Sequence, residues 1–208
     1  MNIETAKQLF GSNFIGKDEL KPFCLALGFR DIEILECPID YDDSVLQDAA
    51  RNGYILIYGI NNIKGKNLTL RFFRDVFGVD PEKSEPCLYN QDWYLSENFI
   101  DRTLDARWYL IKKDVLEETR AVMPGELMQQ GVIFPSAILC GYTFFAYYYS
   151  QNEYLWWHDF VWCCDTDHNG DRIYVGKYHD VDGVNKNGFS IHRHLALRSC
   201  YASTNSIL

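Results

Sequence analysis

The segment from Tyr154 to Asp180, YLWWHDFVWCCDTDHNGDRIYVGKYHD, constrains the fold more than any other part of the chain. Both halves are rich in aromatic and β-branched residues, which fit a pleated surface, and no proline interrupts them. Between them stands Asn169-Gly170, the strongest short hairpin signal, because a two-residue type I′ turn requires positive φ at both central positions. The expectation is a hairpin over 154–180 that pairs His168 with Asp171 and Asp167 with Arg172. Side chains alternate along a strand. The even residues Tyr154, Trp156, His158, Phe160, Trp162 and Cys164 make the more aromatic face and are expected to meet the core.

The same residues read a second way. Asp165, Asp167, Asn169, Gly170 and Asp171 fill the opening positions of an EF-hand calcium loop. Position 12, however, falls on Gly176 instead of a bidentate Glu, and the flanks read as strands instead of helices. The hairpin is therefore preferred, with a weak structural calcium site on Asp165, Asp167, Asn169 and Asp171 as its competitor.

Helical patterns lie mostly earlier. Residues 3–10, 18–27 and 43–51 each end at a glycine or at Asn52-Gly53. YILIYGI at 54–60 is a short apolar run of the kind a buried strand shows. Asn67 is placed to cap a helix reaching Phe77, with Leu70, Phe73 and Phe77 on one face. A long irregular segment follows Asp80-Pro81, then a short helix at 96–104, a strand at 106–115 and helical turns around Met123-Pro124-Gly125. The remainder, GFSIHRHLALRSCYAS from Gly188, adds a candidate edge strand. Helices first and strands gathered late predict an α+β class, with a mainly antiparallel sheet built on 154–180.

The chain has 208 residues, of which 47% are hydrophobic, enough for one core. One domain over 1–208 is expected. The alternative divides it near residue 80, into a helix-and-strand part (1–80) and an aromatic-rich sheet part (81–208). Val132–Tyr149 is free of charge, but Pro135, Ser136, four tyrosines and glutamine-rich flanks argue for a central buried helix at 136–149 over a membrane span. A net charge of −9 disfavours duplex nucleic acid and anionic membrane surfaces. It also ranks single-strand binding low, although the aromatics suit base stacking. The seven cysteines are scattered, with no Cys-x-x-Cys pair, and the first ten residues lack a secretory pattern. Reduced thiols in a cytoplasmic protein are the expectation.

Three constellations bear on chemistry. GINNIKGKN (59–67) sits where a phosphate loop belongs, yet five residues separate its glycines and Asn67 replaces the hydroxyl that would hold magnesium. A turn at Lys64-Gly65 and a solvated basic cluster of Lys64, Lys66, Arg71 and Arg74 is the preferred reading. His192 and His194 share one side of an extended strand. With His179 they could hold zinc with an open water position, as a metal-dependent hydrolase requires. Cys163-Cys164 lacks any local nucleophile signature and reads as packing. No complete catalytic motif emerges. The leading expectation is a non-enzymatic binding protein without a resident cofactor. Its protein partner would meet Tyr89, Trp93, Tyr94, Tyr147 and Tyr148, since Tyr and Trp are favoured at recognition surfaces.

Overall fold

A computed structural model describes residues 1–178, 188–193 and 197–207 of the protein. The elements in chain order are α1 (Ile3–Phe10), β1 (Phe14–Ile15), α2 (Lys21–Ala26), α3 (Asp43–Arg51), β2 (Tyr54–Tyr58), β3 (Asn62–Ile63), β4 (Lys66–Asn67) and α4 (Leu70–Phe77). There follow β5 (Trp108–Lys112), α5 (Pro124–Gln129), α6 (Ala137–Gln151), β6 (Phe160–Thr166), β7 (Arg172–Tyr178), β8 (Gly188–His192), β9 (Tyr201–Ala202) and β10 (Ser206–Ile207). Short 3-10 turns at Trp93–Ser96 and Asn98–Asp101 stand where a single short helix is predicted.

This is the α+β class, with two four-stranded sheets. The first has the order β1-β2-β5-β10: β1 runs parallel to β2, and β5 is antiparallel to both β2 and β10. The second has the order β8-β7-β6-β9, antiparallel except for the β6–β9 pair. GFSIH is thus an edge strand, as its pattern predicts.

Helix α6 lies between the sheets. It contacts β1 on one side, β6 and β7 on another, and α2 and α4 besides. Every residue from Ala137 to Tyr147 is buried. Tyr142, wholly buried, satisfies its hydroxyl by donating to the Tyr58 carbonyl at 3.0 Å, because an unpaired buried hydroxyl is costly. Phe144 and Phe145 pack on Phe189 of β8, with ring centroids 5.0 and 6.0 Å apart. Among the described residues no helix is long and apolar enough to cross a membrane.

Four local expectations need correction. Thr69, not Asn67, caps α4, its hydroxyl accepting the Phe72 N–H at 3.0 Å. Asn67 instead belongs to the β3–β4 hairpin, whose turn is Lys64-Gly65, both at positive φ. The hairpin occupies the place where a phosphate loop would enter a helix.

The β6–β7 hairpin forms, but one residue out of the predicted register. Thr166 pairs with Arg172, and the Asp167 N–H donates to the Asp171 carbonyl at 2.9 Å. Gly170 alone of the central pair takes positive φ, at 86°. The cause is Asp167. Its Oδ1 accepts the N–H groups of Asn169 and Asp171 at 2.9 and 2.8 Å, an Asx turn that favours a longer loop closed by a left-handed glycine.

Strand β6 starts at Phe160 instead of 154, because Trp156 and His158 take φ of 49° and 64° and break the extended geometry. Finally, the predicted core face holds only before the strand: Trp156 is in the main core and Tyr154 packs against it, but within β6 the faces are reversed. Val161 and Cys163 enter the main core, while Trp162 joins a smaller cluster with Leu127, Phe134 and Tyr174, and Cys164 is exposed. Alternation holds, but the sheet is covered on both faces, so aromatic content does not identify the side of the main core.

Candidate functional site

The polar end of β6 comes first. Asp165 is buried. One carboxylate oxygen accepts from Arg102 at 2.6 Å and the other from the Ala137 N–H at 2.6 Å, the first amide of α6. A negative group suits the positive end of a helix dipole. Asp167, also buried, pairs through its second oxygen with Arg193 at 2.7 Å, so its cation is Arg193 and not the predicted Arg172. Desolvation acts to raise the Asp167 pKa, but Arg193 and the two turn amides outweigh it and hold the carboxyl below its ordinary value.

These contacts direct the predicted calcium residues to different partners. The trio that does converge is Glu97, Asp167 and His168, whose ligand atoms lie within 4.8 Å of one another. Arg193 already brings positive charge there, 3.6 Å from Glu97. His168 Nδ1 lies 2.6 Å from Glu97 Oε1.

The aromatic end of β6 is arranged differently. Tyr148, Tyr154, Trp157 and His158 form a continuous row, with successive centroid separations of 4.6, 5.1 and 5.5 Å. Trp157 is 44% exposed. Beneath the row lies Lys177, 1% exposed, its ammonium 4.7 Å from the Tyr154 ring centre and 5.3 Å from that of Trp157. Glu85 neutralises it at 2.6 Å and accepts the Tyr154 hydroxyl at 2.9 Å. Burial, followed by Glu85, pushes the Tyr154 pKa well up, so the hydroxyl remains a donor.

Three devices hold the turn that presents Trp157. Trp156 and His158 on either side are left-handed. The Trp156 carbonyl accepts from the Asp159 and Lys177 N–H groups, both at 3.2 Å. Gly176 lets the chains approach, since a Cβ there would lie 2.0 Å from the Asp159 carbonyl oxygen. The indole N–H of Trp157 donates to His158 Nε2.

The row leads to a cavity of about 240 Å³ lined by His158, Phe160, Tyr174, His192, Arg198 and Tyr201, among others. His192 stacks on Tyr174 with centroids 5.4 Å apart. Burial pushes its pKa down to about 4, so its ring is neutral at pH 7. The Gln91 amide nitrogen lies 3.4 Å from its Nδ1, while Nε2 is buried without a hydrogen-bond partner among the described residues. His179 and His194 lie outside the described residues.

Of the predicted binding aromatics, Tyr94 and Tyr147 are each 1% exposed. Tyr147 spends its hydroxyl on Asn13 at 3.1 Å. Tyr89 and Trp93 are half-buried near His192 and Arg193, with the Arg193 guanidinium 4.5 Å from the Trp93 ring centre. Tyr148, half-buried, alone among them belongs to the row that ends in the exposed Trp157 and His158. The basic cluster disperses: Lys64 donates to the Arg30 carbonyl, Arg71 pairs with Asp101 and Arg74 with Asp92. Burial raises both Cys163 and Cys164 away from thiolate formation.

Sequence reasoning missed Trp157, Glu85 and Lys177. For Trp157 a signal existed: adjacent tryptophans on an extended chain cannot both face one core. For the other two none did, because their contacts join distant segments. Comparison of the chain with protein-family models, curated proteins and solved structures finds no match in any of the three.

Proposed function

We propose that this chain is a non-catalytic recognition protein, and that the row Tyr148, Tyr154, Trp157 and His158 engages a basic segment of a partner protein. The observation that carries this reading is Trp157, held exposed between two left-handed residues. Such backbone costs about 1–3 kcal/mol per residue and persists where the surroundings over-determine it. An indole left 44% exposed returns only part of that cost through burial, which supports reading the strain as presentation. Trp and Tyr faces attract guanidinium and ammonium groups. The net charge of −9 favours encounter with a basic partner. All seven cysteines are free thiols, which suits a reducing compartment, and we place the encounter in the cytoplasm.

The test is a tryptophan-fluorescence titration with arginine-rich and glutamate-rich peptides of equal length. The arginine-rich peptide should give a saturable change that weakens with salt and is lost in Trp157→Ala. Equal responses to both peptides, or an unchanged response in Trp157→Ala, would contradict the proposal.

A second reading keeps the metal-dependent hydrolase built on His179, His192 and His194. What favours it is that His158 and His192 line one cavity and His192 Nε2 has no hydrogen-bond partner among the described residues. Metal analysis of untagged protein decides it. Less than about a tenth of an equivalent of transition metal would exclude a tightly held catalytic zinc.

A further inference from the structure

A separate cavity, of about 540 Å³, opens between the start of β5, the N-terminal turn of α6 and the loop before it. Its volume falls within the ~300–1,000 Å³ range typical of small-molecule sites. Leu104, Val132, Phe134 and Leu139 give it apolar walls, and Arg107 and Arg172 are its cationic groups.

Those two arginines differ from most others in the chain. Arg51, Arg71, Arg74, Arg102, Arg120 and Arg193 each pair with a carboxylate. Arg172 donates instead to the Cys163 carbonyl at 3.0 Å and to the Met128 sulfur at 3.4 Å, with its guanidinium 5.4 Å from the Phe134 ring centre. Arg107 lies 4.7 Å from the Tyr109 ring centre and has the Tyr109 side chain as its main polar partner, while its buried Nε has no hydrogen-bond partner among the described residues. Asp105 also lines the cavity; neither arginine has a carboxylate partner among the described residues.

Arg30 and Arg198 also have no carboxylate partner among the described residues; what sets Arg107 and Arg172 apart is that both stand at the wall of one largely apolar cavity, where an anion from outside could meet them. A buried N–H donor without an acceptor costs about 1–3 kcal/mol, and a ligand oxygen would remove that cost. Guanidinium is also the side chain best matched to carboxylate and phosphate oxygens. We infer that this cavity binds a small molecule with an apolar body and a single oxyanion head, the head held by Arg107 and Arg172 and the body by Leu104, Val132, Phe134 and Leu139. The site is distinct from the aromatic row and does not depend on its function.

Isothermal titration of the intact chain with octanoate, octyl phosphate and octanol tests this, since the three share one apolar body. One or both anions should bind at one equivalent, about tenfold or more tighter than octanol, which is the yield of one charge-assisted hydrogen bond. Whichever anion binds tighter identifies the head as carboxylate or phosphate. The advantage over octanol should shrink in Arg107→Gln and in Arg172→Gln and persist in Arg51→Gln, whose guanidinium pairs with Asp48. Octanol binding as tightly as both anions would overturn the assignment. So would an undiminished advantage in both cavity variants, or no binding of any of the three at millimolar concentration. The wild-type comparison stands even if a variant fails to fold.

Discussion

The two ends of strand β6 use their side chains in opposite ways. At the Asp165–Asp171 end, the buried carboxylates are consumed by the fold: helix α6, Arg102, Arg193 and the turn amides take the oxygens of Asp165 and Asp167. At the Trp156–His158 end, a large ring stays in solvent and the backbone on both sides of it is strained. A motif that resembles a metal loop thus serves structure. A run that resembles ordinary strand becomes the candidate surface. Whether a polar or aromatic group is committed to the fold is decided by its partners, not by its residue type.

The largest expected effect lies at the polar end. Asp165→Ala removes the acceptor of the Ala137 N–H and the partner of Arg102, and should lower unfolding free energy by about 3 kcal/mol. Arg102 is 59% exposed and can return to water, which sets the loss at the low end for a broken buried pair. Chemical denaturation measures it, and a loss below ~1 kcal/mol would remove Asp165 from its structural role.

Gly176→Ala comes next. Its Cβ would meet the Asp159 carbonyl, which is backbone and cannot swing aside, so about 2 kcal/mol should be lost through overpacking. Trp157 emission should shift as its turn moves. An unchanged spectrum with unchanged stability would show that the turn is not clamped.

His192 sharpens the comparison through pH. Its folded pKa of about 4 lies below the ordinary His value, because burial disfavours the charged ring. The folded state therefore binds the proton less readily than the unfolded chain. Stability should be full above about pH 6.5 and fall as pH drops toward 4. Between pH 7 and 5 the loss should be about 2 kcal/mol, and His192→Phe should flatten that limb of the profile. An equally steep fall in the variant would assign the pH dependence to other groups.

How far the sequence reveals this arrangement depends on the range of each interaction. Helices α1 and α3 and strand β2 are legible because apolar spacing and terminal glycine or asparagine act within a few residues. Helix α6 is legible because a charge-free run ends in polar flanks. The hairpin around Asn169-Gly170 is legible in place but not in turn type or register, since the Asp167 side chain selects the longer loop. Both the reach of Asp165 to the α6 N-terminus and the Glu85–Lys177–Tyr154 contact join segments far apart in the chain, and no local pattern encodes either. The row around Trp157 is half-legible. The Trp156-Trp157 pair implies an outward ring, but the left-handed residues that fix it depend on Gly176 and Lys177 across the sheet.

The smallest expected stability effect is that of Trp157→Ala, about 1 kcal/mol, because the ring is 44% exposed and its contacts among the described residues are with the row and Lys177. The most direct test of the account sets this variant beside Asp165→Ala in one arginine-rich peptide titration, run well below both unfolding midpoints. Asp165→Ala should bind within about twofold of the wild type despite its lost stability. Trp157→Ala should bind about tenfold or more weakly with its stability nearly intact, as for a hot-spot aromatic. If binding and stability instead fall together in both variants, or if Trp157→Ala binds as the wild type does, the division between a structural end and a recognising end of β6 is contradicted.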